Sequence, residues 1–248
     1  PFTVEENEIS ITASIGISIY PLDSKDVQDI IQNAETSMHR AKQQGGNQYQ
    51  LYQPDMNLKS FENLLMETKL RKAIERNEFV VYYQPQICLK TGSLVGAEAL
   101  ARWKERDFGL ISPDRFIPLA EEIGLIDSIG FYILQQACVQ TETWQNAKKS
   151  DFTVAVNLSA KQFRQKNLPK KIEKALRATR LDSRFLEIEM TESAAVEDVQ
   201  VVIQNLKDIA SLGIKLAIDD FGTGYSSFAY LKNFPLHKLK IDKSFIFE

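Results

Sequence analysis

Ile214-Lys215-Leu216-Ala217-Ile218-Asp219-Asp220-Phe221-Gly222 is an apolar run that stops at two adjacent carboxylates and a glycine. The run has the length and composition of a buried strand. Two carboxylates at the end of such a strand repel each other and lose hydration, so either one is neutralised or a cation sits between them. A divalent metal is the simplest arrangement. Gly222 and Gly224 then permit a sharp loop over whatever is held there.

Five further strand-like runs precede or follow this one, at residues 79–83, 94–100, 152–158, 186–190 and 238–241, with helical stretches between most of them. Strands alternating with helices predict an α/β fold, a largely parallel sheet covered by helices. The first two runs are separated only by Cys88 to Ser93 and their neighbours, too few residues for a parallel crossover, which predicts an antiparallel hairpin. Polar residues recur near the strand ends: Gln84, Glu98, Asn157, Glu189, Asp219 with Asp220, and Lys240. Functional groups at the carboxyl ends of several strands are the mark of a (β/α)8 TIM-like barrel, which takes ~250 residues and eight strands. The 61–248 stretch is shorter and offers six, so the expectation is a modified barrel, its first strand antiparallel and its C-terminal units missing.

Ahead of it, Ile9, Ile11, Ala13, Ile15, Ile17 and Ile19 alternate with polar or small residues, predicting one strand with a buried face. Val27 to Gln43 reads as a helix closed by Gly45-Gly46, and Gln48 to Leu51 as a short return strand. This α+β segment is too small for a dependable core of its own and reads as the tail of a larger domain. Turn residues Gln53 to Asn57 place a boundary, giving units 1–52 and 61–248 with a connector at 53–60. An amphipathic helix using Phe61, Leu64, Leu65, Leu70, Ala73 and Ile74 leads into the second.

With 44% hydrophobic and 25% charged residues, the 248-residue chain has the composition of an ordinary globular protein. A net charge of -3 argues against a binder of DNA or RNA polymers. No apolar run approaches the ~20 residues of a membrane helix, so no membrane contact is expected from this segment. Its first residues have no signal-peptide pattern. Cys88 and Cys138 show neither metal spacing nor a disulfide framework, predicting buried thiols in a reducing, cytoplasmic compartment.

At one barrel mouth Glu98, Asn157, Glu189 and Asp219 would converge as three carboxylates and an amide oxygen. Such hard oxygen donors suit Mg²⁺ or Mn²⁺ rather than Zn²⁺. Asp220 could ligate a second ion, and a two-metal site can bind an attacking water and a phosphoryl oxygen together. Arg102 offers a fork for a phosphate oxygen, and Lys240 a cationic point near the metals. Taken singly, each residue reads as well as a surface carboxylate, a turn former or a rim ion pair. His39 and His237 read as surface or packing residues. The spacing of the carboxylates alone does not exclude a metal-dependent barrel enzyme of the enolate type.

Tyr83-Gln84-Pro85, Glu98-Ala99-Leu100-Ala101-Arg102-Trp103, Phe116-Ile117-Pro118-Leu119-Ala120-Glu121, Asn157-Leu158-Ser159-Ala160, Glu189-Met190-Thr191-Glu192-Ser193, Asp219 through Ser227 and Leu239-Lys240-Ile241-Asp242 together resemble an EAL domain. The motifs run in the family's order over about three quarters of the chain. The resemblance implies a bacterial signal-transduction hydrolase, a phosphodiesterase that cleaves cyclic di-GMP to linear pGpG with Mg²⁺ or Mn²⁺ and is inhibited by Ca²⁺. Carried over by motif, Glu98, Asn157, Glu189 and Asp219 resemble metal ligands, with Asp220 at the second ion. Lys240 resembles the lysine that contacts the catalytic water, Gln84, Leu100 and Arg102 match ligand-contacting positions, and Glu192 matches the glutamate that steadies the metal-binding loop. A homodimer through EAL domains is implied too.

Residues 1–52 are similar to the C-terminal part of a GGDEF domain, through Ile11 to Ser18, Ala34-Glu35 to Ala41-Lys42, and Gly45-Gly46-Asn47. Glu35 and Gly46 replace the usual Asp and Arg, and the signature loop for GTP is not in the sequence, so cyclase activity is not expected. The order implies a piece of a longer signalling protein, any membrane tether lying in other regions. The family's later Glu-Gly-Val-Glu motif is not in the sequence either. The competing expectation is therefore a catalytically incompetent cyclic di-GMP binding or regulatory and dimerisation module.

Overall fold

A strand that buries both faces ordinarily carries apolar side chains on each, yet the central strands here alternate apolar and charged residues. The computed structural model, which describes residues 2–4, 7–9, 11–148, 152–192, 198–222 and 234–245, accommodates both. Two compact units divide the chain, Pro1–Lys69 and Leu70–Glu248.

In the first unit, β1 (Phe2–Val4) and β2 (Asn7–Ile9) form an antiparallel hairpin. β3 (Ile15–Ile17) and β4 (Tyr49–Leu51) pair in parallel, joined through helix α1 (Val27–Gln43). The helix starts where expected because the Asp26 carboxylate accepts the N–H groups of Gln28 and Asp29, which lack intrahelical partners. Asn33, Ser37 and Ala41, spaced four apart, form its buried stripe, and Met56 meets Ser37 there. The single strand expected over Ile9 to Ile19 is instead β2 and β3, and its isoleucine face is not buried: Ile11 is 70% and Ile15 55% exposed. The cause is Gly16. A Cβ at that position would collide with the backbone of Ala34 and Met38, so α1 lies close on the glycine face and Ile15 falls on the other.

The stretch 53–60 leads directly into α2 (Asp55–Ala73), which runs on past Lys69. In the second unit, β5 (Phe79–Ile87), β6 (Leu94–Glu105), β8 (Thr153–Asn157), β9 (Leu186–Thr191), β10 (Lys215–Phe221) and β11 (Lys238–Ile241) lie in the order β11-β10-β9-β8-β6-β5, and β7 (Gly109–Ile111) pairs with β6. All six expected strands are present. β5 and β6 pair antiparallel from Phe79↔Trp103 to Ile87↔Leu94, as the short connection requires, and the β6-to-β11 ladder is parallel. β7 was not expected; it follows a turn in which the buried Glu105 carboxylate accepts the N–H groups of Asp107 and Phe108.

Helices α3 (Pro113–Glu122), α4 (Ile126–Lys148), α5 (Ala160–Phe163), α6 (Leu168–Thr179) and α7 (Val199–Ser211) complete the unit. Even-numbered side chains, Val154, Val156, Leu186, Ile188, Met190, Leu216 and Ile218, join Leu134, Cys138, Ile172 and Leu206 in one buried core. Each such large aliphatic contributes up to about 1.5–3 kcal/mol of transfer free energy. Odd-numbered residues, Ala155, Glu187, Glu189 and Ala217, occupy the opposite face of the strands, small or charged yet buried. No helix among the described residues is long and apolar enough to cross a membrane.

Both cysteines are free, but only Cys138 is buried; Cys88, in the β5–β6 turn, is half-exposed, which corrects the expectation of two buried thiols. Burial pushes the Cys138 thiol up to about 12, whereas the Thr91 side chain, hydrogen-bonded to Cys88, holds that thiol below its usual value. An aromatic disulfide reagent at pH 8 should therefore modify one thiol promptly in the native protein and the second only after denaturation. Two equally fast thiols would contradict the packing of α4.

Candidate active site at the carboxyl ends of the strands

Parallel neighbours align Glu98 with Ala155 and Asn157 with Glu189, so successive strands deliver polar side chains from the same face to one end of the sheet. Lys240 binds the result together. Its Nζ lies 2.9 Å from Glu98 Oε2, 2.7 Å from Glu189 Oε2 and 2.8 Å from Asp219 Oδ2. Asn157 Nδ2 donates to Glu98 Oε1 at 2.7 Å. One carboxylate oxygen from each of Glu98, Glu189 and Asp219 lies within 4.8 Å of the other two.

Asp219 and Asp220 are consecutive, and in a regular strand they would face opposite sides of the sheet. A bulge changes this. Ile218 pairs with Leu239 and Phe221 with Ile241, three steps along β10 against two along β11, so both aspartates stand opposite Lys240. Asp220 has φ 51, and its N–H donates to Asp219 Oδ1 at 2.9 Å. Its side chain is exposed and outside the three-carboxylate cluster. Lost hydration and the charges of Asp219 and Asp242 hold Asp220 above the usual carboxylate range.

Glu192, buried just beyond β9, accepts the Gly222 N–H at 2.8 Å and so fixes the chain directly after the two aspartates. Gly222 has φ 101, and a Cβ there would strike the Phe245 ring. Thr223 to Ser227, expected to close over the site, and Ser193 lie outside the described residues.

Gln84 stands opposite Glu98 across the hairpin and is exposed. Leu100 and Arg102 follow on the same face of β6. The Arg102 guanidinium donates to Ala101 O at 2.8 Å and sits 5.7 Å over the Tyr82 ring, apart from the carboxylates. Leu100 and Asn157 line a cavity of about 470 Å³, walled by Pro113, Phe116, Ile129 and Thr191 among others. His39 and His237 take no part, although His237 is not merely a surface residue: its Nδ1 accepts the Leu216 N–H at 3.2 Å.

The donor set fits a hard divalent cation. Burial pushes the Glu189 carboxyl up to about 7, against the hydrogen bond and charge of Lys240. Its second oxygen, Oε1, is buried and accepts no hydrogen bond among the described residues, an oxygen that a metal would satisfy. Three carboxylates against one ammonium leave two negative charges unmatched, the charge of one divalent ion. Burial opposes the Lys240 charge, but hydrogen bonds to Asp219 and Glu189 outweigh it and hold the ammonium above its usual range.

A family model described as EAL domain matches residues 67–248. The chain belongs to the EAL domain family. Residues 1–48 match the model described as diguanylate cyclase, GGDEF domain. The chain is similar to the bifunctional diguanylate cyclase/cyclic di-GMP phosphodiesterase MucR of Pseudomonas aeruginosa, 41% identical over 100% of this chain and 36% of MucR. Similarity to the signaling protein YkoW of Bacillus subtilis is 42% identity over 99% of this chain and 31% of YkoW. It thus spans about a third of those relatives. The solved structure named PaMucR phosphodiesterase, c-di-GMP complex, superposes with a TM-score of 0.70 at 43% identity, covering 72% of each chain. EAL phosphodiesterases are in general metal-dependent, and this EAL chain carries the oxygen cluster such a metal needs.

At and beneath the carboxylate cluster, two features escaped sequence reasoning. One is the bulge. The other is a second ion pair beneath the carboxylates, Glu187 with Lys238 at 2.6 Å. The alternation Leu-Glu-Ile-Glu in β9 and Lys-Leu-Lys in β11 carried that signal, since residues two apart in a strand share a face.

Proposed function

We propose that this EAL unit hydrolyses cyclic di-GMP to linear pGpG, as part of a longer bacterial signalling protein. The observation that carries the reading is the convergence of Glu98, Glu189 and Asp219, from three strands, on Lys240, with a buried Glu189 oxygen left unsatisfied. The similarity to MucR, and to a structure named as its cyclic di-GMP complex, supports the substrate.

Glu98, Asn157, Glu189 and Asp219 would hold one Mg²⁺ or Mn²⁺, with Asp220 toward a second. Bound there, such ions supply Lewis acidity and a nucleophilic water near neutral pH. Lys240, held firmly protonated, cannot accept a proton; it donates a hydrogen bond that orients the attacking oxygen and offsets negative charge gathering on the phosphoryl group. Arg102, on the same face as Glu98, offers its fork to a phosphate oxygen and Gln84 a polar contact beside it. Glu192 keeps Gly222, and with it Asp219 and Asp220, in place. Leu100 and the cavity wall give a planar base an apolar slot. Ca²⁺, with its looser and more numerous coordination, is expected to bind without supporting turnover.

The boundaries that go with this reading are a GGDEF-like 1–52, a connector at 53–60 and an EAL-type 61–248, in line with model matches at 1–48 and 67–248. Two free thiols are in keeping with a cytoplasmic setting, and a homodimer through the EAL unit is the assembly expected. Calorimetric titration of cyclic di-GMP into the chain with Ca²⁺ tests the site. Saturable binding that is lost in chelator is expected, and no binding with any divalent ion would contradict the reading.

A further inference from the structure

Lys238-Leu239-Lys240 places two lysines on one face of β11, two residues apart, while among the described residues one set of three carboxylates awaits them. Glu187 and Glu189 stand on one face of β9 in the same way. The structure pairs them in two tiers: Lys240 with Glu189 at 2.7 Å, and one pleat below, Lys238 with Glu187 at 2.6 Å. β10 runs between these strands, and the residue opposite both Glu189 and Lys238 is Ala217, whose methyl leaves the two pairs room to meet across it.

We propose that the Glu187–Lys238 pair, its carboxylate buried and its lysine partly exposed, is a register device, holding Lys238 in the lower tier so that Lys240, and not Lys238, is presented to Glu98, Glu189 and Asp219. Glu187 is thus a positioning residue for the proposed reaction, acting by holding Lys238 away, and the kinetic part of the test below rests on that reading.

Within β11 itself little else fixes the register. Its regular pairing with β10 is Ala217↔Lys238 and Ile218↔Leu239, after which the bulge intervenes. A one-residue slip would turn Leu239 toward the carboxylates and is forbidden by polarity, but a two-residue slip keeps every side chain on its face. Outward-facing Leu239 and Ile241 are 49% and 65% exposed, so apolar packing within the strand discriminates weakly between registers, and the apolar anchors, Phe234 in the core and Leu236 against it, lie ahead of it. His237, through Leu216, is a second pin, but it is exposed and water competes for its bonds. Slipping by two would bring Lys238 to the carboxylates and Leu236 to the place from which Lys238 now reaches Glu187. Glu187 is 2% exposed, and a carboxylate so buried cannot exchange a cation for a leucine without a large penalty. An ion pair in such a place adds less stability than apolar packing would, and setting register is its best-attested use.

Glu187→Gln, Lys238→Met and the double variant test this. Glu187→Gln is expected to lower kcat on cyclic di-GMP about tenfold or more, with little change in KM, because Lys238 now competes for the carboxylates. Lys238→Met removes the competitor; it leaves the buried Glu187 without its cation and so lowers the melting temperature, but the folded enzyme is expected to keep kcat within about threefold of the unaltered chain. The double variant should recover most of the kcat lost in Glu187→Gln. A double variant as slow as Glu187→Gln, a Glu187→Gln enzyme with unaltered kcat, or a tenfold loss in Lys238→Met would each overturn the proposal, and the last decides alone if Glu187→Gln fails to fold. If the unaltered chain hydrolyses nothing, the phosphodiesterase reading has failed. Register is then read from hydrogen exchange at the Leu239 and Ile241 amides, expected to speed up about tenfold in Glu187→Gln and to slow again in the double variant. Unchanged exchange would overturn the register device.

Discussion

Glutamine in place of Glu189 is expected to lower kcat for cyclic di-GMP by roughly 10³-fold, the loss of several kcal/mol of metal-borne stabilisation. The amide has the size of the carboxylate and still offers Lys240 an oxygen, so the shape of the site survives. What disappears is a charge, at a residue whose side chain is fully buried and whose second oxygen has no hydrogen-bond partner among the described residues. Burying that charge is costly, as the carboxyl displaced up to about 7 reflects, so the melting temperature in chelator should not fall. The signature is thus activity lost with stability kept. A variant that retains more than about a tenth of the kcat would remove Glu189 from the metal site.

Lys240→Met should give the opposite pattern, a protein that depends on a divalent ion for stability. In chelator the substitution leaves Glu98, Glu189 and Asp219 facing one another with no cation between them. Removing one partner of a buried charge cluster costs about 3–5 kcal/mol, and with the lysine side chain 21% exposed the lower end applies. For a domain of this size that lowers the melting temperature by about 6–12 °C. Mn²⁺ should restore most of the loss, since it brings the missing positive charge, while kcat stays down by about 10²-fold for want of the ammonium's hydrogen bond. Thermal scans of both proteins with chelator and with Mn²⁺ read the stability, and a turnover assay with Mn²⁺ reads kcat. An unchanged melting temperature in chelator, or no recovery with Mn²⁺, would mean that Lys240 is not the counter-charge of the cluster.

Where one local rule acted alone, the sequence was legible. The six strands followed from apolar runs, the β5–β6 hairpin from a connection too short for a crossover, and α1 from a helical stretch closed by Gly45-Gly46. The carboxylates and Lys240 could be gathered at one mouth because strand ends in such a fold share an end. Where two rules competed, reading failed. Isoleucines at every second position predicted a buried face on β3, but Gly16 lets the backbone of α1 come closest on the other side. Strand alternation would separate Asp219 from Asp220, and only the bulge, with Asp220 at φ 51, sets both against Lys240. A bulge is one extra residue in one strand, visible only once its partner's register is known. The Glu187–Lys238 pair escaped for a related reason: β9 and β11 are not neighbours, and pairing across Ala217 needs the sheet order.

Tertiary position also separates residues that motif matching treats alike. Glu98, Asn157, Glu189, Asp219 and Lys240 form one connected set, whereas Arg102 rests on Ala101 O and over Tyr82, and Asp220 lies at the exposed rim. The first group is assembled in advance. Arg102 and Asp220 would have to engage substrate or a second ion on binding, Arg102 leaving Ala101 O and the Tyr82 ring to do so.

The most direct measurement is to incubate the chain with cyclic di-GMP and Mn²⁺ at alkaline pH and resolve the products by chromatography, alongside Glu189→Gln and a chelator control. Linear pGpG accumulating only with the unaltered chain and the metal is the predicted result. Intact cyclic di-GMP under every condition, or pGpG formed equally by Glu189→Gln, would contradict a hydrolytic site at the three carboxylates.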